Sequence, residues 1–303
     1  MPPDAPLDPA LARLLSDRRV HLRPPSSRAD LDEWRAMANR FLASATRPEL
    51  PLVENRIIDG PGGALAIREY TPTRNLPRGT ILFAHGGGFV FGGLDSHDAL
   101  CRRLAIESGG RVAALDYRLA PDAPFPAALL DCLAALDWLC RERPGAPVAL
   151  AGDSAGAQLA LASALTGDHG LRGLALLYPL VDPSRGGASH ATFGEGRMLT
   201  GEFLDWCWSA YRGDQAVDRD PRFDLRSADL SKLPPSLIVT AGHDPLRDEG
   251  LELIERMKAA GVTVAARHYP DMIHGFAALP GGAARAQDAV SAMASHLRDR
   301  LSG

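Results

Sequence analysis

Lysine is nearly missing from this chain. Of its 33 Lys plus Arg residues only Lys232 and Lys258 are lysines, and the arginines are scattered rather than gathered into runs. With 37 Asp plus Glu the formal net charge is −4, so the basic footprint of a nucleic-acid binder is missing. No apolar stretch approaches the roughly 20 residues that a membrane span needs, which argues against a membrane protein. Cysteine is sparse, and Cys101, Cys132, Cys140 and Cys207 have no CxxC spacing. Cys132 and Cys140 fall on one predicted helix about 12 Å apart, too far for a disulfide, so reduced thiols are expected. The segment Met1–Pro6 lacks a basic stretch followed by an apolar one, so no secretory signal and a cytoplasmic location are expected. Internal repeats and low-complexity tracts are also missing.

What remains is ordinary globular material: 303 residues, 46% hydrophobic and 23% charged. That length suits two domains or one large α/β domain, and it is enough to bury a sizeable core. Leu7, Leu11, Leu14 and Leu15 recur at helical spacing, as do Leu31, Trp34, Met37, Phe41 and Leu42 after a Pro-Pro-Ser-Ser break. Residues 1–50 are therefore expected to be helical. Arg56–Ile58 and Ala64–Tyr70 flank Gly60-Pro61-Gly62-Gly63 and predict a hairpin at a sheet edge. Apolar runs then alternate with helix-sized segments: Thr80–Ala84, Val112–Asp116, Val148–Ala151, Leu174–Tyr178, Leu237–Thr240 and Val262–Tyr269. Continuous apolar runs are what strands buried on both faces of a parallel sheet require. Helices are expected at Ala99–Ser108, Ala127–Arg143, Ala155–Leu165, Glu249–Ala260 and Ala283–Leu301. The long interval from Tyr178 to Leu237 carries an aromatic amphipathic helix around Phe203–Tyr211 and reads as a lid, together with the N-terminal helices. The division expected is 1–50 cap helices, 51–180 with 236–303 the main domain, and 181–235 a cap insertion.

Two glycine-rich motifs carry the chemistry. Gly152-Asp153-Ser154-Ala155-Gly156 follows a predicted strand and opens a predicted helix, the context of a serine lifted on a sharp turn. His85-Gly86-Gly87-Gly88-Phe89 follows Thr80–Ala84 and exposes backbone N–H groups, the donors that a tetrahedral oxyanion requires. It fits neither GxGxxG nor a P-loop. A base and its orienting acid should follow the serine. His274, in the loop expected after the last strand, is free to reach Ser154, whereas His268 and His296 fall inside a strand and a helix. Asp244 follows the run Leu237–Thr240, at the edge where open α/β sheets build their sites. Asp248 and Glu249 read as ordinary carboxylates of a helix N-terminus. His97 and Asp98 read equally as a site closure or a helix cap.

These motifs, with Asp116-Tyr117-Arg118-Leu119-Ala120-Pro121, Asp244–Glu249 and His274-Gly275-Phe276, resemble in type and order the hormone-sensitive-lipase-like, GDSAG-bearing esterases of the α/β-hydrolase superfamily. The resemblance runs from about Val53 to Leu301. It implies an eight-stranded, mostly parallel sheet flanked by helices under a helical cap, and a serine carboxylesterase for short- to medium-chain esters. Ser154 would be the nucleophile, His274 the general acid/base and Asp244 its orienting carboxylate, with the amides of Gly86, Gly87 and Ala155 as the oxyanion hole. Gly88, Phe89, Asp153 and Trp208 are candidates for substrate contact, and Phe203 and Trp206 for the pocket or cap packing. Gly194–Leu199 looks like the approach to the cap. No metal or organic cofactor is implied, and a homodimer through the last strand and a neighbouring helix is. The family usually has Gly-Asn where this chain has Ala157-Gln158, and often Glu where it has Asp122. An amidase or thioesterase would use the same triad, and a non-catalytic ligand-binding protein would share the scaffold but lose a triad member.

Overall fold

The computed structural model describes residues 5–17, 20–73, 77–217, 220–281 and 284–302. Met1 to Asp4 and Ala283, the expected first residue of the last helix, lie outside them. Eight strands form one sheet in the order β1-β2-β4-β3-β5-β6-β7-β8. The edge hairpin joins β1 (Leu52–Gly60) to β2 (Gly63–Thr71), and β2 runs antiparallel to both β1 and β4. The others, β3 (Thr80–Ala84), β4 (Arg111–Asp116), β5 (Val148–Asp153), β6 (Gly173–Leu177), β7 (Ser236–His243) and β8 (Val264–Ile273), are mutually parallel.

The continuous apolar runs explain this layering. Side chains alternate across a strand, so a strand in the middle of a parallel sheet must be apolar at every position. In β3, Leu82 and Ala84 enter one core while Ile81 and Phe83 enter the other. The first core lies under α4 (Ala127–Glu142), α5 (Ala155–Leu165) and α8 (Arg247–Ala259), the second under α3 (Asp98–Ser108) and α9 (Ala284–Leu301). Helix α5 is buried at ten of its eleven residues, because the cap segment covers the side that a surface helix would turn to water: the Gln158 amide donates to Arg222 O at 2.9 Å.

Two segments outside the sheet layers come together over the C-terminal ends of the strands. The first holds α1 (Pro9–Ser16) and α2 (Arg28–Ala43). The second, between β6 and β7, holds α6 (Ala188–Phe193) and α7 (Gly201–Arg212). The Leu22 amide donates to Met198 O at 2.8 Å and the Thr200 hydroxyl to Leu22 O at 2.7 Å, while Trp34 packs against Phe203 and Trp206. One expected boundary is corrected. Strand β8 runs on through Pro270 to Ile273, past the expected end at Tyr269, and His274 opens the turn that follows it. Pairing of His243 with Ile273 across a bulge carries the strand that far. All four cysteines are unpaired.

Candidate active site

Three side chains meet at the ends of three parallel strands. Ser154 follows β5, Asp244 follows β7 and His274 follows β8. His274 Nε2 lies 2.8 Å from Ser154 Oγ, and His274 Nδ1 lies 2.8 Å from Asp244 Oδ2. With the Nδ1 proton donated to the carboxylate, Nε2 is left as the acceptor for the serine hydroxyl. Asp244 is fully buried, and its Oδ1 accepts the Leu246 N–H at 2.8 Å, which fixes the carboxylate plane. Ser154 and His274 are 8% and 6% exposed, enough to meet a ligand but little water. The Tyr178 ring stands edge-on to the imidazole at 4.8 Å and limits its swing.

The turn that lifts Ser154 has φ +53° and ψ −120°, a conformation that a side chain rarely adopts. Its flanking glycines are required by close approach. A Cβ on Gly152 would strike the Gly156 carbonyl, and one on Gly156 would strike the carbonyls of Ala84 and His85. The helix then starts at Ala155, whose amide faces the serine from the positive end of α5.

The glycine motif after β3 is where the structure corrects the expected oxyanion set. The Gly86 N–H donates to Asp153 Oδ1 at 2.7 Å, so it is spent on a buried carboxylate and cannot meet an oxygen at Ser154. The Gly87, Gly88 and Ala155 amides have no such partner among the described residues. Asp153 also faces His97, whose Nε2 lies 3.2 Å from Oδ1, and His97 Nδ1 lies 2.9 Å from Ser96 Oγ. Burial works against the charge on Asp153, yet His97 and the Gly86 N–H hold its carboxyl below the usual range. Beneath the loop, His85 stacks on Tyr117 at 4.2 Å, and burial, helped by nearby His97, drops its pKa to about 3, so it stays neutral.

The triad opens into a cavity of about 450 Å³. Its floor is Gly86, Gly87, Gly88, His97, Asp153, Ser154 and His274. Its roof is apolar and comes from the N-terminal helices and the insertion, through Trp34, Met37, Phe41, Met198, Phe203 and Cys207. Of the four candidate contact residues, Gly88 and Asp153 line this cavity, whereas Phe89 and Trp208 stand behind its wall. Phe89 is fully buried, stacked on Tyr211 at 3.7 Å and packed on Trp208. Phe203 lines the cavity and Trp206 packs behind it on Phe203 and Trp34. His97 makes no side-chain cap on α3, and Asp98 is buried in a cluster with Tyr70, Arg68 and Arg102. No group of three or more His, Cys, Asp or Glu gathers to hold a metal ion among the described residues.

Glu249 is not the ordinary helix-terminal carboxylate its position suggested. It is buried, accepts the Val181 N–H at 2.7 Å and faces His190 Nε2 at 3.0 Å. Burial raises its pKa to about 7 against the pull of His190 and the Val181 amide. Asp248, by contrast, accepts the Ser189 N–H and pairs with Arg247, away from the imidazole.

A family model described as alpha/beta hydrolase fold matches residues 81–278, nearly two-thirds of the chain. The chain belongs to the α/β-hydrolase fold family. Among the relatives of this α/β hydrolase is a carboxylic ester hydrolase, LipN, of Mycobacterium tuberculosis, 36% identical over 96% of this chain and 83% of that protein. An ethyl acetate hydrolase of Pseudomonas putida is 36% identical over 71% of this chain and 72% of its own length. Among solved structures, an esterase from Pyrobaculum calidifontis superposes with a TM-score of 0.89 at 32% identity, covering 98% of this chain and all of that one. The likeness to hormone-sensitive-lipase-like esterases read from the motifs is borne out. Among the described residues, no helix of this α/β hydrolase is long and apolar enough to cross a membrane.

Proposed function

We propose that this α/β hydrolase is a serine carboxylesterase that cleaves short- to medium-chain acyl esters through an acyl-enzyme on Ser154. One observation carries the reading: an unbroken hydrogen-bonded line from buried Asp244 through His274 to Ser154, ending in an apolar cavity. That is the arrangement that activates a serine hydroxyl. The family's named relatives hydrolyse carboxylic esters, which supports the choice of bond.

Ser154 Oγ attacks the ester carbonyl while its proton passes to His274 Nε2. The carbonyl oxygen, now negative, turns toward the amides of Gly87, Gly88 and Ala155. A preorganised donor of this kind is worth about 2.7–4 kcal/mol of barrier. His274 returns the proton to the departing alcohol as the C–O bond breaks, leaving the acyl group on Ser154. Water then attacks with its proton taken by His274, the acid departs and Ser154 is restored. Asp244 keeps its charge throughout and stabilises the imidazolium. The apolar roof takes the acyl or alcohol chain.

Initial rates on p-nitrophenyl acetate, butyrate, octanoate and palmitate, with Ser154→Ala alongside, test this. Turnover that needs Ser154 and peaks at butyrate or octanoate is expected. Turnover that survives Ser154→Ala overturns the mechanism, and a maximum at palmitate overturns the chain-length range.

A further inference from the structure

The loop of the oxyanion donors is held from the sheet side at Gly86, at Phe89, whose carbonyl accepts the Ala120 N–H at 2.9 Å, and at Gly93, whose N–H donates to Ser96 Oγ at 3.0 Å, but between Phe89 and Gly93 it is held by helix α2. Between His85 and Gly93 the backbone has positive φ at Gly87, Gly88, Phe89, Gly92 and Gly93, which the glycines adopt freely and Phe89, with φ +66°, does not. Its near end is fixed by the core, through the Gly86 N–H on Asp153. Within the loop the Gly87 carbonyl accepts both the Val90 and Phe91 amides, at 2.9 and 3.0 Å, so the turn carrying Gly87 and Gly88 moves as one piece with Val90 and Phe91. The stretch between Phe89 and Gly93 is held from above. Arg35 Nε, on helix α2, donates to Val90 O at 2.7 Å. Asn39 Oδ1, one turn further along α2, accepts the Gly92 N–H at 3.0 Å. The guanidinium is itself immobilised, because its other nitrogens donate to Ala120 O at 2.7 Å and to Asp122 Oδ2 at 2.8 Å.

We propose that Arg35 and Asn39 are positioning residues for the oxyanion hole, so that the N-terminal helix that roofs the cavity also sets where the Gly87 and Gly88 amides point. This rests on the acyl-enzyme reading above. The physical ground is a matter of count and direction. Arg35 and Asn39 between them hold a carbonyl and an amide only two residues apart, Val90 O and Gly92 N, at the exit of the turn. The same turn presents Gly87 and Gly88 at its entrance. Without α2, Val90 O and Gly92 N lose their partners, and the stretch between the anchors at Phe89 and Gly93 can rotate its peptide planes, a movement that the Val90 and Phe91 bonds to Gly87 O pass on to the donors. A small displacement is costly because the gain from such donors depends on their aim at the developing charge rather than on their presence.

The test compares Asn39→Ala and Arg35→Ala with Arg28→Ala. Arg28 pairs with the same Asp122 from the same helix but makes no bond to the loop. Each variant is assayed on p-nitrophenyl butyrate and titrated with two ketones of one alkyl shape. A trifluoromethyl ketone adds to Ser154 and becomes a tetrahedral oxyanion, whereas the methyl ketone stays trigonal. For Asn39→Ala and Arg35→Ala we expect kcat to fall about tenfold with KM nearly unchanged, and the trifluoromethyl ketone to bind about tenfold more weakly while methyl ketone binding holds. Asn39→Asp, which keeps an acceptor for the Gly92 N–H, should recover most of the loss, and Arg28→Ala should lose little. Unchanged kcat and trifluoromethyl ketone affinity in a folded Asn39→Ala would overturn the proposal. So would a loss shared equally by the two ketones or by Arg28→Ala, which would reduce α2 to a packing element. Asn39 is only half-buried, so its variant carries the test even if Arg35→Ala fails to fold. Ser154→Ala runs in parallel: if it retains turnover, the acyl-enzyme reading fails first, independently of what the helix variants do.

Discussion

At the scale of single residues, the site depends on what a glycine permits and on which carboxylate an imidazole meets. Gly156→Ala would push a methyl group into the backbone carbonyls beneath β3, which cannot move without the sheet. Overpacking of that kind costs about 1–3 kcal/mol. A drop of several degrees in melting temperature, with loss of esterase activity, is the outcome expected from a thermal melt. Asp244→Asn should lower kcat by about 10⁴-fold with the fold intact, because an amide cannot hold the imidazole in the tautomer that leaves Nε2 free. Asp248→Asn, whose carboxylate is occupied by Ser189 and Arg247, should keep kcat within a few-fold; steady-state kinetics on the pair decide which carboxylate serves His274. Ser154, Asp244 and His274 were each readable in the sequence because an elbow motif, a strand end and a strand exit leave local marks. The partner of the Gly86 amide left none. That Asp153 would turn its side chain back to that amide, 67 residues away in the chain, depends on how β3 and β5 lie side by side.

At the scale of elements, strands were legible where burial on both faces forces an unbroken apolar run, as in Thr80–Ala84. They were misjudged where a bulge interrupts the ladder, as at Pro270 and Asp271, beyond which Ile273 still pairs with His243. Helix α8 shows the converse. Its first turn carries Asp248 and Glu249, which read alike, yet the half-buried Asp248 meets the insertion at Ser189 and pairs with Arg247, while the buried Glu249 clamps it through Val181 and His190. The burial that raises Glu249 to about 7 makes a pH prediction. A carboxyl whose folded pKa lies above its unfolded one contributes stability in full below the unfolded value and loses it as pH rises through the folded value. The wild type should therefore lose stability relative to Glu249→Gln between about pH 4.5 and pH 7, and the gap should stay level above that. Thermal melts of the two proteins across that range, read as a difference, check the sign.

For the whole molecule, the cavity belongs to neither the sheet domain nor the cap alone. Met37 and Phe41, 51% and 38% exposed, stand on α2 and still line the cavity, so its mouth opens beside the N-terminal helix. Met37→Asp and Phe41→Asp should weaken turnover of octanoate more than of acetate, since only the longer chain reaches them; the ratio of kcat/KM for the two esters measures it. The helices of the first fifty residues were legible, but not their arginine and asparagine contacts with the glycine loop, because Arg35 and Val90 O meet only through packing across 55 residues of chain. Strand β8 closes the sheet at one edge, with no neighbouring strand on its outer side among the described residues. An unpaired edge of that kind can be covered by a second copy, and a homodimer of two 32.3 kDa chains is the outcome we expect from gel filtration.

The order of the strands has a last consequence, and it concerns time rather than space. Ser154 and His274 are separated by 120 residues, and the histidine follows the edge strand β8, whose neighbour β7 is followed by Asp244. Under the mechanism proposed above, a chain still on the ribosome carries Ser154 long before His274, the base proposed for it, is made. Even after His274 is made, α9 must dock against the sheet before β6 and β7 are covered on that face.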